Sequence, residues 1–263
     1  MFWPPRPASV AGMPLVLWPP SSPPPPLPAR APSLMVAGLS QVLLLRELLL
    51  RRFRKDLRAE LATAPRGDGE PVLVLPGMGV GDISTLPIRR YLRRQGLDAR
   101  GWELGRNSPD AEATLRRLLP RLTTFVAEAR QPVALVGWSL GGVVARELAR
   151  LRPDLVRCLV TLGSPVAGGF RHTAIAGLFR IQGWNLEEIE RLVAEANRTP
   201  IRVPVTAIWS RRDGIVAWPA AVDSTTPGAV NLEATSCHWA LGLDPEVLAA
   251  LPAALLRRPE DLH

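Results

Sequence analysis

The chain is almost without lysine. Lys55 is the single one among 263 residues, so arginine carries nearly all of a formal net charge of +8. The arginines are scattered along many helix-like segments, and only Arg51-Arg52-Phe53-Arg54-Lys55 forms a local cluster. A nucleic-acid binder concentrates its basic residues on one face, so this charge argues against nucleic acid as a partner. Cysteine is scarce too, with two in the chain. Two cysteines make no disulfide framework, and neither Cys158 nor Cys237 has zinc-like spacing to other ligands. A reduced compartment is expected, with no metal and no organic cofactor. Long apolar runs are also missing. The leucine-rich stretch after Ser40 is broken by Arg46 and Glu47, well short of the ~18 residues expected of a spanning helix.

What is present is enough for a core. At 47% hydrophobic, 263 residues fit one large α/β domain or two small ones. Residues 1–33 are rich in proline, including Pro23 to Pro26. They are expected to form an extended or disordered tail outside the core. They match a signal peptide poorly, because the apolar stretch from Ala8 to Trp18 contains Pro14 and ends in prolines. Residues 34–64 carry an amphipathic helix over 34–61, with Val42, Leu45, Leu49, Phe53, Leu57 and Leu61 on one face. That helix packs on the domain or on a partner. The alternative is peripheral membrane contact, with Arg51, Arg52, Arg54 and Lys55 toward phosphates. The expected location is the cytoplasm.

Residues 65–258 read as the catalytic domain. Apolar runs at 71–75, 97–104, 132–137, 156–162, 203–209 and 229–235 read as strands. Helical patterns at 84–95, from 108 onward with a kink at Pro120, at 140–151 and from 244 to about 256 lie between or after them. Such alternation implies an α/β fold, a mostly parallel sheet with helices on both faces. Residues 164–200 are helix-leaning and too long for an ordinary connection, so a short helical lid is expected there.

The motif that carries chemistry is Gly137-Trp138-Ser139-Leu140-Gly141. It stands between a strand and a helix, as a nucleophile elbow does. A simple capping turn is the competing reading. A serine hydroxyl needs a base, and the base needs an orienting acid. Asp213 follows the strand at 203–209, and His238 follows the strand at 229–235. Sheets of this type place ligands at the C-terminal ends of strands. The chain has three histidines. His263 is terminal, and His172 falls in the expected lid, where a solvent-facing position is expected. Asp223 and Asp244 are rival acids, one in a long loop and one reading as a helix cap. An oxyanion hole needs two backbone N–H donors. Leu140 is expected to supply one, and Pro76-Gly77-Met78-Gly79, through Met78, the other. That loop lacks the spacing and the lysine of a phosphate loop.

Over residues 70–258 the chain resembles the α/β-hydrolase superfamily, and within it small bacterial lipase- or esterase-like serine hydrolases. The matching pieces run from Gly67 to Gly77, Gly101 to Asn107, Gly137 to Gly142, Thr161 to Pro165, Ser210 to Trp218 and His238 to Pro245. The resemblance implies Ser139 as nucleophile, Asp213 as acid and His238 as base. In two places the chain departs from it. Pro76-Gly77 stands where many relatives have His-Gly, and the usual first two strands are replaced by the 34–61 helix. The expected function is hydrolysis of carboxylic esters through an acyl-enzyme, acting on a small-molecule ester with an apolar acyl chain. The alternatives are an acyltransferase with the same triad, or a non-catalytic binding protein of this fold attached to a membrane or partner through its N-terminal helix.

Overall fold

Successive side chains along each strand point to opposite faces of the sheet, and this decides which helix covers which residues. The computed structural model describes residues 15–18, 24–28, 31–33, 35, 37, 38, 41, 42 and 64–258. Six strands run parallel: β2 (Pro71–Leu75), β3 (Asp98–Gly101), β4 (Val133–Trp138), β5 (Val156–Leu162), β6 (Val205–Ser210) and β7 (Val230–Ala234). A short β1 (Val16–Leu17) joins antiparallel to β7, giving the order β1-β7-β6-β5-β4-β2-β3.

On one face Val72, Val74, Val136 and Val160 pack against Ile88 and Leu92 of α1 (Leu86–Arg94) and Leu251 of α7 (Pro245–Leu255). On the other, Leu73, Leu75, Leu135 and Leu159 pack against Phe125 of α2 (Ala111–Ala129) and Leu148 of α3 (Leu140–Leu151). Strands covered on both sides read as unbroken apolar runs, which is how they appear in the sequence. Each fully buried Leu or Val contributes about 1.5–3 kcal/mol relative to an exposed one. Helix starts follow local chemistry. The Asp110 carboxylate accepts from the Ala113 N–H, and the Asp244 carboxylate accepts from the Glu246 N–H, each satisfying an orphan donor of a first turn. Pro120 does not end α2, which continues to Ala129.

Between β5 and β6 the expected insertion contains a 3₁₀ turn (Gly169–His172), α4 (Ala176–Ile181) and α5 (Leu186–Ala196). The short α6 (Trp218–Ala221) follows β6. Phe170 stacks on Phe179 with ring centroids 4.7 Å apart, and Phe179 meets Trp184 edge-on at 5.4 Å.

Residues 15–18 depart from the expectation of a tail outside the core. Leu15 and Leu17 are buried while Val16 stays exposed. Trp18 meets Trp209 and Trp218 at 5.7 and 5.9 Å. Leu15-Val16-Leu17 alternates as a strand does, buried, exposed and buried in turn. It also covers the edge of β7 that would otherwise be open to pairing. Of the helix expected over 34–61, Met35, Ala37, Gly38, Gln41 and Val42 are described, all helical. The rest lies outside the described residues. No helix among the described residues is long and apolar enough to cross a membrane.

Candidate active site

β2 is flanked by β3 on one side and β4 on the other, so the chain reverses its winding direction between β2 and β4. A crevice opens at the C-terminal ends of strands at such a point. The loop 76–80 leaves β2 there, and Ser139 leaves β4.

Ser139 has φ 53° and ψ −120°, a left-handed conformation that costs a non-glycine residue about 1–3 kcal/mol. The turn is held from two sides. The Ser139 N–H donates to the Leu162 carbonyl on β5 at 2.8 Å. Its flanking glycines let the backbone close up. A Cβ on Gly137 would lie 2.3 Å from the Gly142 Cα, and one on Gly141 would lie 2.5 Å from the Leu75 carbonyl oxygen.

Asp213 and His238 meet beside this turn. Asp213 Oδ2 lies 2.8 Å from His238 Nδ1, and both side chains are almost wholly buried. Asp213 Oδ1 accepts from the N–H groups of Ile215 at 3.0 Å and Val216 at 2.6 Å. The His238 N–H donates to the Asp213 carbonyl at 3.0 Å. Donation from Nδ1 to the carboxylate sets the tautomer that leaves Nε2 as an acceptor. Gly163, at φ 53°, makes room for the pair, since a Cβ there would lie 2.7 Å from Asp213 Oδ2 and 3.1 Å from His238 Nδ1.

A cavity of about 130 Å³ gathers Ser139 and His238 with Gly77, Met78 and Leu140 on its walls. All five expected site residues therefore converge: four line the cavity, and Asp213 backs His238. From the insertion, Phe170 and Ile175 reach the same cavity. A second, larger cavity of about 500 Å³ shares Leu140, Pro165 and Phe170 with the first, and is lined further by Val143, Trp184 and Leu192. Leu178 and Ile181, also apolar residues of the insertion, instead face outward.

The rival acids are engaged elsewhere. Asp223 is ion-paired with Arg146 deep in the protein. Asp244 caps α7 and accepts from the Ser236 hydroxyl. His172 is not solvent-facing as expected. It is 4% exposed, and its Nε2 lies 3.1 Å from Glu190 Oε1 on α5. His263 lies outside the described residues. Cys158 and Cys237 are free and buried. Burial pushes the Cys158 thiol up to about 11 and raises that of Cys237 as well, so both thiols are poor nucleophiles. Among the described residues no cluster of three or more His, Cys, Asp or Glu side chains could hold a metal ion.

One supporting residue ends the Gly101–Asn107 piece, and no feature of that piece marks its role. Asn107 Nδ2 donates to the Pro76 carbonyl at 2.7 Å. The Asn107 backbone takes a bond from the Gly79 N–H at 2.8 Å and gives one to the Val80 carbonyl at 2.9 Å. It therefore holds the loop carrying Met78.

The chain has the α/β-hydrolase fold and is similar to esterases and lipases. A family model described as alpha/beta hydrolase fold matches residues 129–194, which contain the Ser139 turn. A pimeloyl-[acyl-carrier protein] methyl ester esterase of Aliivibrio salmonicida is 29% identical over 104 residues, 37% of this chain and 37% of that relative. Among solved structures, a lipase-esterase related protein from Clostridium acetobutylicum superposes with a TM-score of 0.53 at 14% identity, over 71% of this chain and 95% of that one. An aryl esterase from Burkholderia cenocepacia, so described provisionally, gives 0.51 at 19% identity, over 74% and 94%. At such identities the structural likeness establishes the fold.

Proposed function

We propose that the chain is a serine hydrolase of carboxylic esters, with Ser139 as nucleophile, His238 as general base and acid, and Asp213 as its orienting carboxylate. The observation that carries this reading is the 2.8 Å Asp213–His238 contact beside a serine held at φ 53° over one cavity. Ser139 Oγ attacks the ester carbonyl carbon, and its proton passes to His238 Nε2. The oxyanion that forms accepts hydrogen bonds from the Met78 and Leu140 N–H groups. Collapse of the intermediate breaks the carbon–oxygen bond, and the leaving alcohol takes the proton from His238. Water then gives a proton to His238 and attacks the acyl-enzyme. The carboxylic acid departs, and the proton returns to Ser139.

The substrate class follows from the walls. Apart from the reacting groups, the site cavity is lined by Val80, Trp138, Phe170, Ile175 and Val216 among others. Such a lining favours an ester with an apolar body, and a ligand too long for the smaller cavity has the larger one beside it. The Aliivibrio salmonicida relative is named for a methyl ester carried on an acyl-carrier protein, which is consistent with an acyl ester as substrate. The test is hydrolysis of p-nitrophenyl esters of graded acyl length by the wild type and by Ser139→Ala. Turnover by the wild type, lost in the variant, supports the reading. Equal release by both proteins, or none by either across the series, contradicts it.

A further inference from the structure

Asp213 and His238 belong to separate loops, after β6 and after β7. Something must hold those loops in register for the side chains to meet at hydrogen-bond distance. Part of the bonding is internal to the two loops, through the His238 N–H and the Asp213 carbonyl at 3.0 Å. Trp138 Nε1 donates to the His238 carbonyl at 3.2 Å, and further bonds come from far away in the chain. Gln41, on the N-terminal helical segment, is buried. Its Nε2 donates to the same Asp213 carbonyl at 2.7 Å. Its Oε1 accepts from the Trp239 N–H at 3.3 Å. Its own carbonyl accepts from the Cys237 thiol at 3.8 Å. The three consecutive residues 237, 238 and 239 are thus each tied, two of them to Gln41 and the middle one to the carbonyl that Gln41 also holds.

From this juxtaposition we propose that Gln41 is a positioning residue for the Asp213–His238 pair. The N-terminal helical segment is then a working part of the site rather than an appendage. The proposal rests on the hydrolase reading above. Gln41 touches neither the ester nor the reacting atoms, and it acts through the loops on which the acid and base ride. One amide supplies both a donor and an acceptor, as bridging two loops requires. A carboxylate loses the donor half of the bridge, and an apolar side chain of the same length loses both. Positioning of this kind shows in the chemical step, since a shift of about 1 Å at the reacting groups can cost about 100-fold.

The experiment is the second-order rate of Ser139 labelling by a fluorophosphonate, with kcat and KM for a p-nitrophenyl ester, in wild type, Gln41→Met and Gln41→Glu. Gln41→Met keeps the length and packing and removes both bonds. Its labelling rate and kcat are expected to fall together by about 10- to 100-fold, with KM little changed. In Gln41→Glu the introduced carboxyl, when ionised, turns an oxygen toward the Asp213 carbonyl. When protonated it regains a donor. Among the described residues, the loops that Gln41 bonds carry the Asp213 carboxylate, the His238 imidazole and the Cys237 thiol. The charge introduced at position 41 favours the protonated imidazole, which cannot act as base, so by itself it lowers the ratio of variant to wild type as pH falls. The ratio of Gln41→Glu to wild-type kcat should still rise as pH falls, through the regained donor, which a purely structural role does not predict. Should Gln41→Met fail to fold, that ratio decides: a rise supports the proposal and a flat or falling ratio overturns it. Wild-type labelling with an unchanged rate in Gln41→Met overturns this proposal alone. A wild type that is not labelled overturns the hydrolase reading, and this one with it.

Discussion

The ends of β4, β5, β6 and β7 and the insertion between β5 and β6 both shape the same cavity, but they are held by different kinds of force. At the strand ends, backbone approach decides the geometry. Gly137, Gly141 and Gly163 stand where a Cβ would meet backbone or the Asp213–His238 pair, and Ser139 is kept at φ 53°. In the insertion, side chains decide it. Phe170, Phe179 and Trp184 stack on one another, Glu190 faces Arg171 and His172, and Asn197 spans from the Val166 carbonyl to Arg146. Backbone approach leaves no room for substitution, whereas stacked rings and ion pairs can be exchanged and repacked. The strand ends are therefore suited to fixed chemistry, and the insertion to adjustable fit.

The largest expected effect lies at the strand ends. Ser139→Ala should lower turnover by about 10⁴-fold or more while leaving the circular dichroism spectrum unchanged. Gly163→Ala should cost at least about 100-fold in kcat, because its methyl group displaces the Asp213–His238 pair. A kcat within a few-fold of wild type would show that the strand ends can also be repacked, and would dissolve the contrast.

The link between the two regions comes next. Arg146 on α3 pairs with Asp223 and reaches Asn197 at the end of α5, with both charged side chains at most 3% exposed. Arg146→Ala strands a buried carboxylate and should destabilise the protein by about 3–5 kcal/mol, read from urea unfolding at pH 7. Burial pushes the Asp223 carboxyl up, but the Arg146 guanidinium and hydrogen bonds from Thr226 and Thr225 outweigh it and hold it below the usual carboxylate range. A depressed folded value contributes stability that is present above the unfolded value of about 3.9 and is lost as pH falls through the folded one. The unfolding free energy of the wild type should therefore drop below about pH 4, and Asp223→Asn should drop less.

The smallest effect belongs to the insertion. Phe170 lines both cavities, so Phe170→Ala should open one toward the other and shift the preferred acyl length upward, changing kcat/KM by about 10-fold. A rate collapse like that of Ser139→Ala would place Phe170 with the fixed chemistry instead.

The same contrast explains what could be read from the chain. The sheet was legible because strands buried on both faces write continuous apolar runs, and α3 appears at residues 140–151 as its pattern requires. Asp213 and His238 were legible because each follows its own strand. Their rivals Asp223 and Asp244 read as a loop residue and a helix cap, and the structure gives both of them other partners. β1 was hidden by composition, a two-residue strand inside a proline-rich stretch. His172 was misjudged because its partner Glu190 comes from α5, whose docking no local pattern announces. Gln41 lies 172 residues from Asp213, and Asn107 lies 31 from Pro76. Contacts of that range leave no periodicity or spacing to read.

The central claim is that Ser139 is the reactive hydroxyl of this fold, and fluorophosphonate treatment followed by peptide mass mapping addresses it directly. One adduct per chain is expected, located at Ser139 and absent from Ser139→Ala. A folded protein that takes up no label, or takes it up at another serine, would contradict the claim.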